Sequence, residues 1–527
     1  MRQLILCFDG TNNNFTGGMA DTSVVKLREL LAAQVDAEQL VYYDPGVGNA
    51  GTLPEATLGA KLRGIGERVA GLAFGRGVFE DIDDGYRFLM REYQRGDEIY
   101  IFGFSRGAFT ARSVAGLVNM FGILRPEAEP MVSTLIHLYF ADSGKAKDND
   151  PDQARPEHLS AQIRRSFGQG QMPIHFVGVW DTVASVGMWP FGLRITAKPT
   201  LKGKHFIHVR QALALDEMRA QFMPRLYAQD NGEFPCAEGF GTGTLVQLWY
   251  RGSHCDVGGG YAHRDATLSR TPLEWMVDEA RAVGLRLSPV PPDPHLPPPR
   301  IHNQLWCTPM WAVTGMALRT TDRVILDDCV DPHIKPVESP SVAAWPAEFP
   351  RSTVWAHWQK LGTADFVMLI LLLFCPWAMA HMSTHEGMHE FIAWQLAWWR
   401  HSVPVMWPET SQVMWQLLLD LPFILAWAWW LSYFAVRAFA RRAGLQRVHS
   451  PRPQWLLTLG WSLTVAVFGD LAEDALTVVV LAFLSYGHST LATAAAFCMS
   501  FASGVKYLGL LGALILIVSG LLPARKS

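Results

Sequence analysis

Residues 97–112 read Asp97-Glu98-Ile99-Tyr100-Ile101-Phe102-Gly103-Phe104-Ser105-Arg106-Gly107-Ala108-Phe109-Thr110-Ala111-Arg112, and no other stretch restricts the fold as tightly. A β-rich run ends in Gly-x-Ser-x-Gly and passes at once into a helical pattern. This is the strand–turn–helix context in which such a serine acts as a nucleophile. The glycines let the chain turn sharply and let the helix approach the strand. Ser105 is then held at a bend near a helix N-terminus, where partial positive charge favours a developing oxyanion. The alternative is a plain glycine-rich turn, which the preceding strand and following helix disfavour.

A serine hydroxyl needs a base, and the base needs an orienting carboxylate. In an α/β-hydrolase these follow in the order Ser, Asp or Glu, His, each after a strand. Ile174–Trp180 is a strand-like run that ends in Asp181, and Leu245–Tyr250 is another that leads through Gly252 and Ser253 to His254. Asp181 could instead cap a helix, and His254 could be a satisfied loop histidine. His175 lies within a strand, and His205 and His208 lack a strand-end context, so they are poorer bases. The first strand ends in Phe8-Asp9-Gly10-Thr11, a polar loop at the same sheet edge. Backbone N–H groups of Gly10 and Thr11 could complete an oxyanion hole with that of Arg106. Asp9 and Asp256 are secondary candidates, either ordering their loops or holding a hard cation. Two carboxylates without a spaced ligand set argue poorly for a metal. Cys7-Phe8-Asp9-Gly10-Thr11 lacks the nucleophilic aspartate of an aspartyl-phosphate enzyme.

From Met1 to about Pro350, short apolar runs alternate with Gly, Pro, Asp and Asn, which suits strands alternating with helices. The proline-rich stretch Leu287–Pro299 must be loop or extended linker, yet Ile301–Val337 still has a globular pattern. After Trp358 the character changes. Ala364–Ala380, Val413–Val436, Trp455–Tyr486 and Leu491–Leu522 are hydrophobic, the last two carrying Asp470, Glu473, Asp474 and Lys506. A helix needs about 20 apolar residues to cross the hydrocarbon core. Tryptophans near the segment ends, among them Trp377, Trp398, Trp407, Trp415 and Trp455, suit a membrane interface better than a buried soluble bundle. Arg437, Arg441, Arg442, Arg447 and Arg452 lie between the second and third segments and place that loop inside. With about four crossings, the N-terminal domain and Arg525-Lys526 share its side. The N-terminus begins directly with the apolar run Leu4–Phe8 and shows no signal-peptide pattern. If the last two segments form an antiparallel hairpin turning near Gly487-His488-Ser489, Lys506 sits level with Asp470, Glu473 and Asp474 and should pair with one of them. A break of the third segment at its acids is the alternative.

A formal charge of −3 offers no electrostatic case for nucleic acid, and the seven scattered cysteines form no CxxC pair or framework. No cofactor or metal is expected.

Five stretches then identify a resemblance: Phe8-Asp9-Gly10-Thr11, Tyr43-Asp44-Pro45-Gly46-Val47-Gly48, Gly103-Phe104-Ser105-Arg106-Gly107-Ala108, Val179-Trp180-Asp181-Thr182-Val183-Ala184-Ser185 and His254-Cys255-Asp256-Val257-Gly258-Gly259-Gly260-Tyr261. Together they resemble the α/β-hydrolase domain of the first class of type VI secretion phospholipase effectors, over residue 1 to roughly 340. That domain also occurs in bacterial proteins of unassigned function. The resemblance implies an ester hydrolase with Ser105, Asp181 and His254 as its triad, cleaving phospholipids at the sn-1 or sn-2 ester. Family members often carry serine where this chain has Cys255, and the C-terminal hydrophobic region is not part of the common domain. Two apolar stretches, Gly71–Phe79 and Ser185–Ile195, read as loops flanking the site that suit acyl chains, a membrane surface or core packing equally.

The expectation is an α/β chain with an α/β-hydrolase-like, mostly parallel sheet covered by helices on both faces over 1–350, followed by an all-α membrane region over 351–527 with about four hydrophobic helices. Its function would be a membrane-anchored serine ester hydrolase acting on phospholipids of the adjacent leaflet, as an antibacterial or defence effector. It would sit in a bacterial inner membrane as a multi-pass protein with the catalytic domain on the cytoplasmic side. Restraint by an inhibitory partner, a lid or homo-oligomer assembly would protect the host. Two alternatives stay open: a membrane channel or signalling protein whose hydrolase-like domain binds a ligand without turnover, and a hydrolase of another ester or thioester.

Overall fold

The computed structural model describes residues 2–10, 21–32, 38–46, 72–140, 156–170, 172–183, 185–186, 193–194, 201, 203–227, 231–262, 266–295, 299, 301–302, 304–314, 316, 319, 363–382, 410–445 and 454–521. They fall into two compact units. The first comprises Met1–Glu217, Gln221–His302 and Leu318–Pro350; the second comprises Arg351–Ser527 together with Met218–Ala220 and Asn303–Ala317.

The first unit is built on a seven-stranded sheet. Its strands are β1 (Gln3–Phe8), β2 (Gln39–Asp44), β3 (Glu98–Phe104), β4 (Ile174–Trp180), β5 (Phe206–Ala214), β6 (Gly232–Pro235) and β7 (Thr242–Tyr250), in the order β2-β1-β3-β4-β5-β7-β6. All neighbours run parallel except the edge strand β6, which pairs antiparallel with β7. A parallel sheet must be covered on both faces, so the central strands β1, β3 and β4 are mostly apolar rather than alternating. β1 is buried along its whole length. Its alternate side chains feed two cores. Leu4, Leu6 and Phe8 pack with α2 (Leu72–Glu92) and α3 (Arg106–Phe121), while Ile5 and Cys7 pack with α1 (Ser23–Ala32) and α7 (Thr267–Ala282). The α/β architecture expected from the alternating pattern is therefore present, a mostly parallel sheet between two helical layers.

One expectation needs correction. Leu72–Phe79, read as loop, opens helix α2. Gly75 and Gly77 weaken helical propensity, but Val78, Ile82, Tyr86 and Leu89 recur at helical spacing and are fully buried against β1 and α3. Burial of that stripe outweighs propensity. In the second apolar stretch, Ser185–Val186 pairs antiparallel with Leu193–Arg194; residues 187–192 and 195 lie outside the described residues.

The second unit holds α8 (Thr363–Met382), α9 (Thr410–Leu445), α10 (Gln454–Ser485) and α11 (Ser489–Leu521). Leu417–Ala438 of α9 and Thr490–Ser519 of α11 are long and apolar enough to cross a bilayer, and Asp365–Met379 of α8 is a shorter apolar helix. Only 28% of the α9 window and 33% of the α11 window is buried, so most of this apolar surface faces outward. Ile370, Leu373, Leu418, Phe501 and Leu508 are all more than half exposed.

α10 runs unbroken past Asp470, Glu473 and Asp474, which removes the broken-segment alternative. It turns at Gly487 into α11, and Lys506 Nζ lies 2.6 Å from Asp470 Oδ1 and 2.8 Å from Glu473 Oε2. Trp427 of α9 donates its indole N–H to Asp470 Oδ2 at 3.1 Å. The two helices approach closely through small residues: a Cβ on Gly509 would stand 2.7 Å from the Ala466 nitrogen.

Candidate active site

In a parallel sheet every strand ends at the same edge, and the loops there converge. Phe104 is paired with Trp180, and Trp180 with Ala212. The residues that follow, Ser105 and Asp181, therefore emerge side by side. Ser105 N–H donates to the Trp180 carbonyl at 3.0 Å, and Asp181 N–H to that of Ala212 at 2.7 Å. Ser105 sits at φ 59° and ψ −122° immediately before α3, and Asp181 has φ 39°. Non-glycine residues in such conformations cost about 1–3 kcal/mol each and cluster at functional sites. The bend at Ser105 depends on its flanking glycines. A Cβ on Gly103 would stand 2.4 Å from the Gly107 carbonyl oxygen, and one on Gly107 would stand 2.3 Å from that of Phe8.

His254 begins the short helix α6 (His254–Gly258) after β7. Its Nε2 lies 2.7 Å from Ser105 Oγ and its Nδ1 2.6 Å from Asp181 Oδ2. All three side chains are buried. Burial alone would push the Asp181 carboxyl up; the Arg319 guanidinium and the hydrogen bond from His254 outweigh it and hold the carboxyl at about 2. Asp181 is thus an acceptor, so Nδ1 carries the imidazole proton and Nε2 is left to accept from the serine hydroxyl. This tautomer is the one that can take a proton from Ser105. The Phe104 and Phe222 rings flank the imidazole at 4.6 and 4.9 Å between centroids, and His254 N–H donates to Glu217 Oε2 at 3.2 Å.

The two secondary candidates order loops. Asp256 accepts from Ser253 N–H at 2.8 Å and from His302 N–H at 3.0 Å, with His302 Nδ1 2.6 Å from its Oδ1. Asp9 accepts from Thr22 Oγ1 at 2.7 Å, from the Tyr43 hydroxyl at 3.0 Å and from Gly10 N–H at 2.6 Å. The Gly10 N–H that was expected to face an oxyanion therefore bonds to Asp9, and Thr11 lies outside the described residues. Arg106 N–H remains at the start of α3. Among the described residues no group of three or more His, Cys, Asp or Glu could hold a metal ion, and none of the described cysteines forms a disulfide. His175, His205 and His208 bond to Val283, Asn119 and Thr244, away from the relay. Arg319, His302, Glu217 and Phe222 had no motif to flag them.

Asp81 of α2 is pushed up to about 8 by burial and by Asp44, Asp84 and Glu80, against the pull of Arg106. Because the folded state holds this proton more tightly than the unfolded chain, stability is full below the ordinary aspartate range and falls as pH rises towards 8. Asp81→Asn removes that loss. The variant should melt above the wild type at pH 9, with a smaller gap at pH 5; a gap that does not grow with pH contradicts the assignment.

The family described as the T6SS phospholipase effector Tle1-like catalytic domain matches residues 2–279, more than half of the chain. A Saccharomyces cerevisiae relative, uncharacterized protein YEL023C, is 34% identical over 227 residues, 42% of this chain and 32% of that protein. The chain thus spans about a third of the length of this curated relative. A crystal structure of an uncharacterized protein from Pseudomonas aeruginosa aligns over 89% of this chain and 67% of that one, at 18% identity and a TM-score of 0.28. With its match over residues 2–279, which hold Ser105, Asp181 and His254, the chain belongs to the Tle1-like phospholipase effector catalytic-domain family.

Proposed function

We propose that the chain is a membrane-anchored serine hydrolase of the α/β-hydrolase kind that cleaves acyl esters of bilayer phospholipids. The hydrogen-bond series Ser105–His254–Asp181 at a strained turn carries this reading. Ser105 Oγ attacks the ester carbonyl carbon while Nε2 takes its proton. The tetrahedral oxyanion is met by the Arg106 N–H at the positive end of α3. Collapse expels the alcohol, which takes the proton back from Nε2. Water then repeats the sequence on the acyl-enzyme, releases the fatty acid and restores Ser105.

Anchoring rests on the outward-facing apolar surface of α8–α11. A bilayer held beside the domain supplies substrate at high effective concentration, which relaxes the need for tight headgroup recognition. The arginine-rich stretch 437–452 favours the cytoplasmic side of a bacterial inner membrane for both that stretch and the hydrolase domain. Such an enzyme would attack its own host, so restraint by an inhibitory partner or by self-association belongs to the proposal.

Mass spectrometry of vesicles of phosphatidylethanolamine and phosphatidylglycerol, incubated with purified full-length protein, tests the reaction. Lysophospholipid and free fatty acid should accumulate in equal amounts. Intact lipid, with hydrolysis of a soluble thioester instead, would overturn the substrate class.

A further inference from the structure

We propose that Arg319 is a positioning residue of the triad, fixing Asp181 so that its carboxylate stays ionised and aimed at His254; this rests on the serine-hydrolase reading above. Arg319 lies 65 positions after His254, beyond the proline-rich stretch. Its side chain is 1% exposed. Nη1 donates to Asp181 Oδ1 at 2.6 Å and Nη2 to Asp181 Oδ2 at 3.1 Å, a two-pronged contact. Nη1 also donates to the Ala214 carbonyl at 2.6 Å, and Nη2 to that of Phe222. The guanidinium is therefore tied to the end of β5 and to the segment whose aromatic ring flanks His254.

Seen from Asp181, the arrangement is full. Oδ1 accepts from the Ala214 N–H at 3.0 Å and from Nη1; Oδ2 accepts from His254 Nδ1 at 2.6 Å and from Nη2. A carboxylate offers about four lone-pair sites, and all are taken, so the group cannot rotate away from the imidazole. A fully buried carboxylate without compensation would cost several kcal/mol or take up a proton. A protonated Asp181 would no longer be a pure acceptor and would free Nδ1 to adopt the wrong tautomer. Lysine could supply charge here but not the planar fork.

The cation carries a consequence for the base. Among the described residues, the charged groups on Asp181 are His254 and Arg319, and His254 is faced by Asp181 through its ring and by Glu217 through its N–H. A guanidinium sharing the same carboxylate disfavours the imidazolium, so its removal should raise the pH at which His254 gains a proton.

The test uses full-length protein with phospholipid vesicles, together with the rate at which a fluorophosphonate labels Ser105. Arg319→Met should lower kcat about 100-fold, the scale of a displaced catalytic group, leave KM nearly unchanged and move the acid limb of kcat/KM to higher pH. Arg319→Lys keeps the charge, so its acid limb should stay in place while kcat falls about 10-fold, because the fork is lost. Arg319→Ala should recover activity with guanidinium ion added to the buffer, and Arg319→Met should not. If Arg319→Met does not fold, the Arg319→Lys rates decide: wild-type kcat there overturns the proposal. Wild-type turnover and labelling in Arg319→Met, with an unmoved acid limb, overturn it as well. Absence of labelling and turnover in the wild type overturns the serine-hydrolase reading and this proposal with it.

Discussion

Ser105→Ala is expected to lower kcat for phospholipid hydrolysis by about six orders of magnitude, because triad residues act as a unit and loss of the nucleophile removes nearly everything the unit contributes. What remains is the effect of the oxyanion donors and of binding, about 10³–10⁴-fold over water. His254→Ala should fall to the same floor, and Ser105→Ala/His254→Ala should be no worse than either single variant. Asp181→Asn should lose about 10⁴-fold, since the asparagine stabilises the wrong imidazole tautomer. Fold should not confound the measurement. Alanine keeps a Cβ at the same left-handed φ of 59°, so the strain is retained and the melting temperature should not move. Turnover in Ser105→Ala within tenfold of wild type would remove the serine mechanism.

The second large effect is expected in the helices. Lys506→Met leaves the Asp470 and Glu473 carboxylates without their cation. Removing one partner of a buried pair costs about 3–5 kcal/mol, chiefly because a buried charge is stranded. Unfolding of the helical unit in detergent, followed by tryptophan fluorescence, should register a loss of that size. Neutralising the stranded groups as well, in Lys506→Met/Asp470→Asn/Glu473→Gln, should restore most of it. Additive losses across that set would show that the charges act independently and that their proximity has no energetic meaning.

Both predictions concern residues that were legible in the sequence, for a shared reason. Ser105, Asp181 and His254 each follow a recognisable β run, and in a parallel sheet a strand end is also an address. Lys506 could be matched to Asp470 and Glu473 because a hairpin fixes depth by counting from its turn. Legibility failed wherever an address depended on something other than a strand end or a period. Helix α2 begins inside a glycine-rich stretch, and its buried stripe becomes visible only once β1 and α3 are in place to receive it. Gly10 was assigned to an oxyanion from its edge position alone; the competing acceptor is its own neighbour, Asp9, whose side-chain direction no pattern encodes. Arg319 and His302 come from outside any strand–helix unit, and their contacts with Asp181 and Asp256 span 138 and 46 positions of chain.

That long reach bears on modularity. The segment shared with the family ends at residue 279, and it contains the serine, the aspartate and the histidine. It contains neither the guanidinium that saturates the aspartate nor the imidazole that braces the turn beneath the histidine. A fragment cut at that border would keep all three side chains of the Ser105–His254–Asp181 series and lose two of the groups that hold them. The family match is therefore shorter than the stretch of this chain that supplies the groups bonded to Asp181 and Asp256.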